Sequence, residues 1–186
     1  MALFPAMLDL RNRPVLVVGG GKIASRKAAA LVAAGAKVTC VAPQVADEMR
    51  ALGVTVHQRP YAAGEAADGY WLVTVATNDP AVQRLVFADG EQHRVWVNAA
   101  DDPSNCSFIL PAVHREGPVV VAVSTSGVAP ALASWLRNRV IDALPADVVG
   151  LSAALAAERA KVHDAGESTE SVDWPSIIER LLRERA

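Results

Sequence analysis

Apolar runs alternate along the chain with segments of helical periodicity. Most of the early runs are apolar at nearly every position, which is typical of parallel strands buried on both faces. Strands are predicted at residues 14–18, 37–42, 54–56, 70–76, 95–98 and 119–123. Helices are predicted at residues 23–34, 45–52, 81–92, 129–144, 148–163 and 175–185. Strands that alternate with helices predict an α/β fold with a parallel, doubly wound sheet.

The pattern changes after residue 100, where polar loops and longer helices replace the strict alternation. We predict a Rossmann-like domain at residues 1–112, a small α+β segment at 113–146 and a helical C-terminal domain at 147–186. The helix of the middle segment carries Leu132, Trp135, Leu136 and Val140 on one stripe. The polar linker at residues 164–170 is the one segment predicted to be disordered.

Three glycines follow the first predicted strand. Gly19, Gly21 and Ala24 form the pattern G-x-G-x-x-A between a buried strand and an Ala-rich helix. The first glycine permits a tight turn, the second lets a pyrophosphate approach the backbone, and the small third residue lets helix and strand pack closely. The anion then lies on the free N–H groups of the helix N-terminus. The pattern predicts a dinucleotide site, and a glycine turn without a ligand is the alternative.

The carboxylate that usually accompanies this pattern is missing. An acidic residue about 20 positions further along normally holds the adenine ribose. Here the second predicted strand is followed by Pro43 and Gln44. The choice between NAD and NADP therefore cannot be taken from the usual rule, although the absence of an arginine at this point disfavours the 2′-phosphate.

Polar side chains follow the next two predicted strands. Thr77, Asn78 and Asp79 follow one, and Asp101 and Asp102 follow the other. Ligands of open α/β sheets bind at the carboxyl ends of the strands, so these residues are expected beside the dinucleotide. A carboxylate there can take a proton while a hydride leaves the substrate. Helix capping by Asp79 and loop capping by the Asp-Asp-Pro sequence are the alternatives.

A turn of small residues lies between the last predicted strand and the helix that follows it. It consists of Ser124, Thr125, Ser126 and Gly127. Such a turn can form an anion nest or a hydroxyl-lined pocket wall. It can equally serve as the N-cap turn of the helix that starts near Ala129. Both interpretations stay open at this point.

Composition narrows the class of protein. Of the 186 residues, 52% are hydrophobic, which is enough for a core, and 18 Lys+Arg oppose 20 Asp+Glu for a net charge of -2. A protein that binds nucleic acid by neutralising phosphates usually has a basic excess, so nucleic acid is not an expected partner. No run reaches the ~18 apolar residues of a membrane helix. The N-terminus lacks a basic segment of the signal-peptide type, so a cytoplasmic location is expected.

Cysteines and histidines indicate no metal site. Cys40 and Cys106 are too few for a disulfide scaffold, and their surroundings suit reduced thiols. Neither they nor the histidines have metal-ligand spacing. His114, which precedes Arg115 and Glu116, is predicted to be a solvated loop residue.

Six stretches form a combination far more specific than the glycine turn alone. They read LRNR at residues 10–13, VVGGGKIASRK at 17–27, ATND at 76–79, VNAADDP at 97–103, SFILPA at 107–112 and VAVSTSGVAPALA at 121–133. In this combination the chain resembles the dehydrogenase/ferrochelatase module of siroheme synthases, which is called precorrin-2 dehydrogenase when it stands alone. The resemblance spans residues 3 to about 145.

The resemblance implies an NAD+-dependent oxidation of the tetrapyrrole precorrin-2 to sirohydrochlorin, for siroheme or cobalamin, and in some members insertion of Fe2+. It places the catalytic aspartate at Asp101. Cofactor contacts are assigned to Gly19, Gly20, Gly21, Lys22, Ile23, Pro43, Gln44, Thr77 and Asn78. Substrate contacts are assigned to Asn98, Ser124, Thr125, Ser126 and Gly127, and no metal ligand is assigned.

The resemblance also implies a homodimer in which segments after the Rossmann-like part interlock, which makes residues 113–146 a dimerisation segment. A serine that is phosphorylated in some relatives falls at Thr125, next to Ser124. Methylation is expected to come from another protein. Candidate cations for a polycarboxylate substrate are Lys22, Arg26, Arg94, Arg115 and Arg137. The alternative function is a non-catalytic NAD-binding sensor.

Overall fold

The computed structural model describes residues 3–100 and 102–185. This part of the chain divides into two compact units between Leu110 and Pro111. The first unit contains a five-stranded sheet, and the second contains a two-stranded sheet with three helices after it. The predicted Rossmann-like α/β fold is therefore confirmed, as are the small α+β segment and the helical tail that follow it.

The first unit is a parallel sheet with helices between the strands. Its strands are β1 (Pro14–Val18), β2 (Lys37–Val41), β3 (Thr55–His57), β4 (Leu72–Val75) and β5 (Trp96–Ala99). Its helices are α1 (Lys22–Ala33), α2 (Asp47–Ala51) and α3 (Pro80–His93). The strand order is β3-β2-β1-β4-β5, and every pairing is parallel. The order reverses between β1 and β4, which is where such sheets bind ligands.

Both faces of the sheet are covered, which explains why β1 is apolar at every position. Val17 packs against Ala24 of α1 and Met49 of α2 on one face. Leu16 packs with Val86 of α3 on the other. Since alternate residues of a strand point to opposite faces, a strand covered on both sides needs apolar residues throughout.

Helix α3 is fixed at both ends by local chemistry. The Asp79 carboxylate accepts a hydrogen bond from the Ala81 N–H at 2.8 Å, and Pro80 occupies the first turn. The predicted capping role of Asp79 is thus confirmed. Near the other end, a Cβ on Gly90 would lie 2.2 Å from Cγ2 of Val97, so only glycine lets the helix pack this closely on β5.

Buried polar contacts attach the segment between β3 and β4 to α3. The Tyr61 hydroxyl donates to Asp89 at 2.8 Å and accepts the Ala66 N–H at 3.0 Å. Glu65 forms an ion pair with Arg59 at 2.6 Å. Both carboxylates are 8% exposed, so each needs these donors to offset the cost of burial.

The second unit begins with an antiparallel hairpin. Its elements are β6 (Ala112–Glu116), β7 (Val119–Val123), α4 (Pro130–Ile141), α5 (Val148–Asp164) and α6 (Trp174–Arg185). Gly117, with φ +54°, occupies the first position of the two-residue hairpin loop, where a positive φ is required. Helix α4 packs on both strands of the hairpin. Across the described residues, no helix is both long and apolar enough to cross a membrane.

The prediction that His114 lies in a solvated loop is wrong. His114 belongs to β6 and pairs with Val121 of β7. Its Nε2 atom is buried and has no hydrogen-bond partner among residues 3–100 and 102–185. Glu116 Oε2 lies 3.6 Å away, beyond hydrogen-bonding distance. Because β6 contains polar residues, the pattern of apolar residues did not predict this strand. Its pairing with β7 defines it.

The linker predicted to be disordered has defined contacts. Helix α5 ends in a Schellman-type motif, in which the Glu167 N–H donates to the Val162 carbonyl at 3.1 Å and Gly166 has φ +72°. The Trp174 indole N–H donates to the Thr169 carbonyl at 2.9 Å. The first contacts hold the linker to α5 and the last holds it to α6, and a polar composition alone did not indicate them.

We expect Tyr61→Phe to lower the free energy of unfolding by about 1–3 kcal/mol, because it leaves a buried N–H without an acceptor and removes one donor from Asp89. Tyr70→Phe is the matched control, since the half-buried Tyr70 hydroxyl makes no hydrogen bond within the described part of the chain. Urea denaturation of both variants measures the difference. Equal stabilities would contradict the role of the Tyr61 hydroxyl.

Candidate functional site

The turn after β1 brings two backbone segments into very close approach. Gly19 has φ +125°, and a Cβ on it would lie 2.2 Å from the Ala76 carbonyl oxygen. A Cβ on Gly20 would lie 2.1 Å from the Gln44 carbonyl oxygen. The packing of this chain therefore requires glycine at both positions, whether or not a ligand binds.

Gly21 differs from its two neighbours. Its φ of -85° suits any residue, and nothing lies within 4 Å of the position of a Cβ. It is the N-cap residue of α1 and makes no side-chain capping bond, so the first N–H groups of the helix have no intrahelical acceptor. Open space in front of free N–H groups fits a pyrophosphate. The residues present thus fit a dinucleotide.

The loops after β2 and β4 flank this turn. The Ala46 N–H donates to the Gly20 carbonyl at 2.8 Å, and the Ala76 N–H donates to the Val18 carbonyl at 2.8 Å. Gln83 of α3 donates to the Thr77 carbonyl at 2.8 Å. All predicted cofactor residues come to this carboxyl edge of the sheet, at the point where the strand order reverses: Gly19, Gly20, Gly21, Lys22, Ile23, Pro43, Gln44, Thr77 and Asn78.

Asp101, the predicted proton acceptor, lies outside the described residues. Both of its sequence neighbours are anchored. The Ala100 N–H donates to the Val75 carbonyl at 2.8 Å. The Asp102 carboxylate accepts hydrogen bonds from Ser104 and Asn105, which hold the pKa of Asp102 below its usual value. Asp102 is therefore ionised at neutral pH and is engaged in its own turn.

Asn98, a predicted substrate contact, lies in β5 and is 5% exposed. Its Oδ1 accepts from Lys27 Nζ of α1 at 3.0 Å, and its Nδ2 donates to the Phe108 carbonyl at 3.0 Å. The amide thus links α1, β5 and the segment after it. The sequence did not reveal this role of Lys27, because a lysine on a helix is ordinarily a solvated residue. Its spacing of 71 positions from Asn98 carries no local signal.

The thiol of Cys106 fastens the end of β5. Its Sγ accepts the Ala99 N–H at 3.2 Å and lies 3.3 Å from the carbonyl oxygens of Ala99 and Asp102. Burial raises the pKa of the Cys106 thiol, so the group stays protonated at neutral pH and can donate to these carbonyls. Cys106 therefore has a structural role at the end of β5.

The small-residue turn of the second unit is closed by its own hydroxyl groups. Ser124 Oγ accepts the Ser126 N–H at 3.1 Å, and Thr125 Oγ1 accepts the Ala129 N–H at 3.1 Å. Gly127, with φ +82°, completes the turn before α4. The N-cap residue of α4 is Ala129, which makes no side-chain capping bond, so the hydroxyl groups close the turn rather than cap the helix. Substrate contact stays a prediction.

The candidate cations separate into different places. Arg94 precedes β5 and lines a cavity of about 710 Å³ at the amino edge of the sheet, together with Trp71 and Trp96. This edge is opposite the glycine turn, so the expectation that Arg94 serves the same pocket is wrong. Lys22 and Arg26 line a cleft of about 300 Å³ on α1. Arg115 and Arg137 belong to the second unit.

The described residues contain no group of three or more His, Cys, Asp or Glu side chains placed to hold a metal ion.

Comparison with known proteins identifies the family. The model of the family described as "Putative NAD(P)-binding" matches residues 6–112, which include the whole five-stranded sheet and the glycine turn. The chain belongs to this family. The predicted dinucleotide cofactor is thereby confirmed, and so is the resemblance to siroheme synthases described below.

Curated relatives of this NAD(P)-binding chain are siroheme synthases. It is 39% identical to Siroheme synthase 3 of Aeromonas hydrophila over 189 residues, 98% of this chain and 39% of the relative. It is 37% identical to the siroheme synthase of Methylobacillus flagellatus over 191 residues, 100% of this chain and 41% of the relative. The chain spans about two fifths of the length of these relatives.

A solved structure matches almost the entire chain. SirC, a precorrin-2 dehydrogenase, superposes with a TM-score of 0.72 at 29% sequence identity. The match covers 98% of this chain and 88% of SirC.

We expect Gly21→Ala to retain the fold but to raise the Kd for NAD+ at least about tenfold, because the added methyl occupies the space in front of the α1 N–H groups. Gly20→Ala is the contrasting variant, since its Cβ meets the Gln44 carbonyl and lowers the melting temperature instead. Calorimetric titration and thermal denaturation measure the two effects. Unchanged NAD+ affinity in Gly21→Ala would exclude the turn as the pyrophosphate site.

Proposed function

We propose that the chain acts as an NAD+-dependent precorrin-2 dehydrogenase that oxidises precorrin-2 to sirohydrochlorin. The observation that carries the proposal is the open space that Gly21 leaves at the N-terminus of α1, where the strand order reverses. The match to SirC along 98% of this chain supports it. A dinucleotide fits there, and the chain is an NAD-dependent oxidoreductase. We also propose that this reaction takes place in the cytoplasm.

Each part of the site has its own task. Bound NAD+ supplies the acceptor for the hydride that leaves the substrate. Gly21 and the first N–H groups of α1 hold the pyrophosphate, while Pro43 and Gln44 border the adenosine. Thr77 and Asn78 close the other side of the turn. We assign to Asp101, which follows β5 in the sequence, the role of accepting the proton that leaves the substrate.

The two adjacent carboxylates are assigned different roles, one from its hydrogen bonds and the other from the family resemblance. Asp102 already accepts hydrogen bonds from Ser104 and Asn105 and remains ionised, so it is a poor proton acceptor. Asp101 is assigned the proton because the resemblance places the catalytic aspartate there. Lys27 and Cys106 bond to Asn98 and Ala99 near the end of β5, the strand that precedes Asp101 in the sequence.

We expect Asp101→Asn to keep its melting temperature and NAD+ affinity but to lose about 100- to 10,000-fold in turnover, the usual contribution of a general base. Asp102→Asn is the matched control and keeps most of its turnover. The measurement is the absorbance of sirohydrochlorin and NADH formed from precorrin-2 and NAD+ without oxygen. Turnover of Asp101→Asn equal to that of the unchanged chain would reject Asp101 as the base.

The same assay separates the enzyme from a sensor and tests metal insertion. A non-catalytic sensor binds NAD+ but forms no sirohydrochlorin. Fe2+ added to sirohydrochlorin, with siroheme absorbance as the readout, tests whether the chain also inserts iron. Any such metal is substrate here, since the described residues offer no cluster for a resident ion.

We also propose that the second unit forms a homodimer through α4, with residues 113–146 as the dimerisation segment. The predicted stripe of Leu132, Trp135, Leu136 and Val140 lies on α4 and remains exposed, with Trp135 at 58%. The only α4 residue that is fully buried is Ala133. Monomeric proteins rarely leave contiguous apolar side chains in water, and such patches commonly mark interfaces between proteins.

We expect Trp135→Glu to convert a dimer into a monomer. The free energy needed to bury a carboxylate in an apolar interface exceeds the stabilisation from the remaining contacts. Trp71→Glu is the matched control: Trp71 is 51% exposed, stacks with an arginine as Trp135 does, and belongs to the first unit. Light scattering after size-exclusion chromatography gives the mass of each variant. A dimeric Trp135→Glu protein would contradict the assignment of α4.

A further inference from the structure

A carboxylate lies near the place where the end of β2 lacks one. The cleft of about 300 Å³ between α1 and α2 is lined by Lys22, Ser25, Arg26, Ala29, Glu48 and Leu52. Glu48 is in the first turn of α2, several residues beyond the position where dinucleotide-binding sequences usually carry their acidic residue. The usual sequence rule considers only the residue at the end of β2, so it does not identify Glu48.

The cleft adjoins the dinucleotide site. Lys22 is the first residue of α1 and directly follows Gly21. The Ala46 N–H donates to the Gly20 carbonyl at 2.8 Å, which holds the loop leading into α2 against the glycine turn. The adenine ribose of a bound dinucleotide lies between the glycine turn and the end of β2. Glu48, two residues after Ala46, therefore faces a cleft that reaches Lys22, the residue directly after the glycine turn.

The charged groups of this cleft do not satisfy one another. Glu48, Lys22 and Arg26 are exposed, and none of them has a hydrogen bond or an ion pair with any residue of the ranges 3–100 and 102–185. Arg50, on the same short helix as Glu48, instead donates to Gln58 at 2.7 Å. One acid and two bases that share a cleft without pairing remain available to a ligand.

We propose that Glu48 selects NAD+ over NADP+. Its carboxylate accepts hydrogen bonds from the ribose hydroxyls and repels the 2′-phosphate of NADP+. Lys22 and Arg26 line the opposite wall and attract the same phosphate, so the selectivity depends on one acidic side chain. The inference rests on the proposed function, because it assumes the dinucleotide at the glycine turn.

The test compares Glu48→Gln with Asp47→Asn by calorimetric titration of the full chain with NAD+ and, separately, NADP+. Both changes remove one negative charge from the first turn of α2, but Asp47 does not line the cleft. In Glu48→Gln we expect the affinity for NADP+ relative to NAD+ to rise about tenfold or more, as removal of a like charge allows. Asp47→Asn keeps the ratio of the unchanged chain.

A double variant tests the part played by the opposite wall. With Glu48 replaced by Gln, the added change Arg26→Gln removes a cation that would hold the 2′-phosphate, so the gain in NADP+ affinity is expected to fall. Melting temperatures of all variants should match that of the unchanged chain, because both side chains are exposed.

The outcomes separate this inference from the proposed function. If Glu48→Gln binds NAD+ and keeps the relative affinity for NADP+ of the unchanged chain, Glu48 has no role in selectivity. An equal change of this relative affinity in Asp47→Asn also overturns the role of Glu48. Either result leaves the proposed dehydrogenase function intact. Equal affinity of the unchanged chain for NAD+ and NADP+ likewise overturns the role of Glu48. Failure of the unchanged chain to bind NAD+ overturns both.

Discussion

The close approach of two carbonyl oxygens to the glycine turn is the constraint on which the site depends. The Ala76 carbonyl occupies the space beside Gly19, and the Gln44 carbonyl occupies the space beside Gly20. These contacts bring the loops after β2 and β4 against β1 and leave only Gly21 open. Gly21 is thus the one position of the turn that the chain's own backbone does not crowd, and it is where we propose that the dinucleotide binds.

The same edge of the sheet is organised by a second, polar set of contacts. Lys27 extends from α1 to Asn98 of β5, so the helix that follows the glycine turn is also bonded to the strand that precedes Asp101 in the sequence. Cys106 closes the end of that strand through the Ala99 backbone. Helix α1 and strand β5 therefore share one buried amide, which couples the positions of these two elements.

The two units differ in how much of their apolar surface is buried. In the first unit, helices on both sides of the sheet bury Val15–Val18 of β1, and the buried side chains of Glu65, Asp89 and Asn98 have hydrogen-bond partners. In the second unit, the apolar stripe of α4 stays exposed although α4 packs on the hairpin. A two-stranded sheet with one helix across it has too little area to bury the rest, so the stripe is suited to an intermolecular contact.

The sequence by itself determined the five parallel strands, the glycine turn and the cap of α3, because each follows from neighbouring residues: apolar runs, a glycine pattern, an Asp-Pro pair. Only the tertiary structure showed β6, since its polar residues become a strand by pairing with β7. It alone separated the tasks of Gly19, Gly20 and Gly21, which depend on loops far along the chain. The sequence also did not indicate the contacts of Lys27 and Cys106 or the cleft that Glu48 lines. Residues far apart in the chain form these contacts and this cleft, so no local pattern connects them.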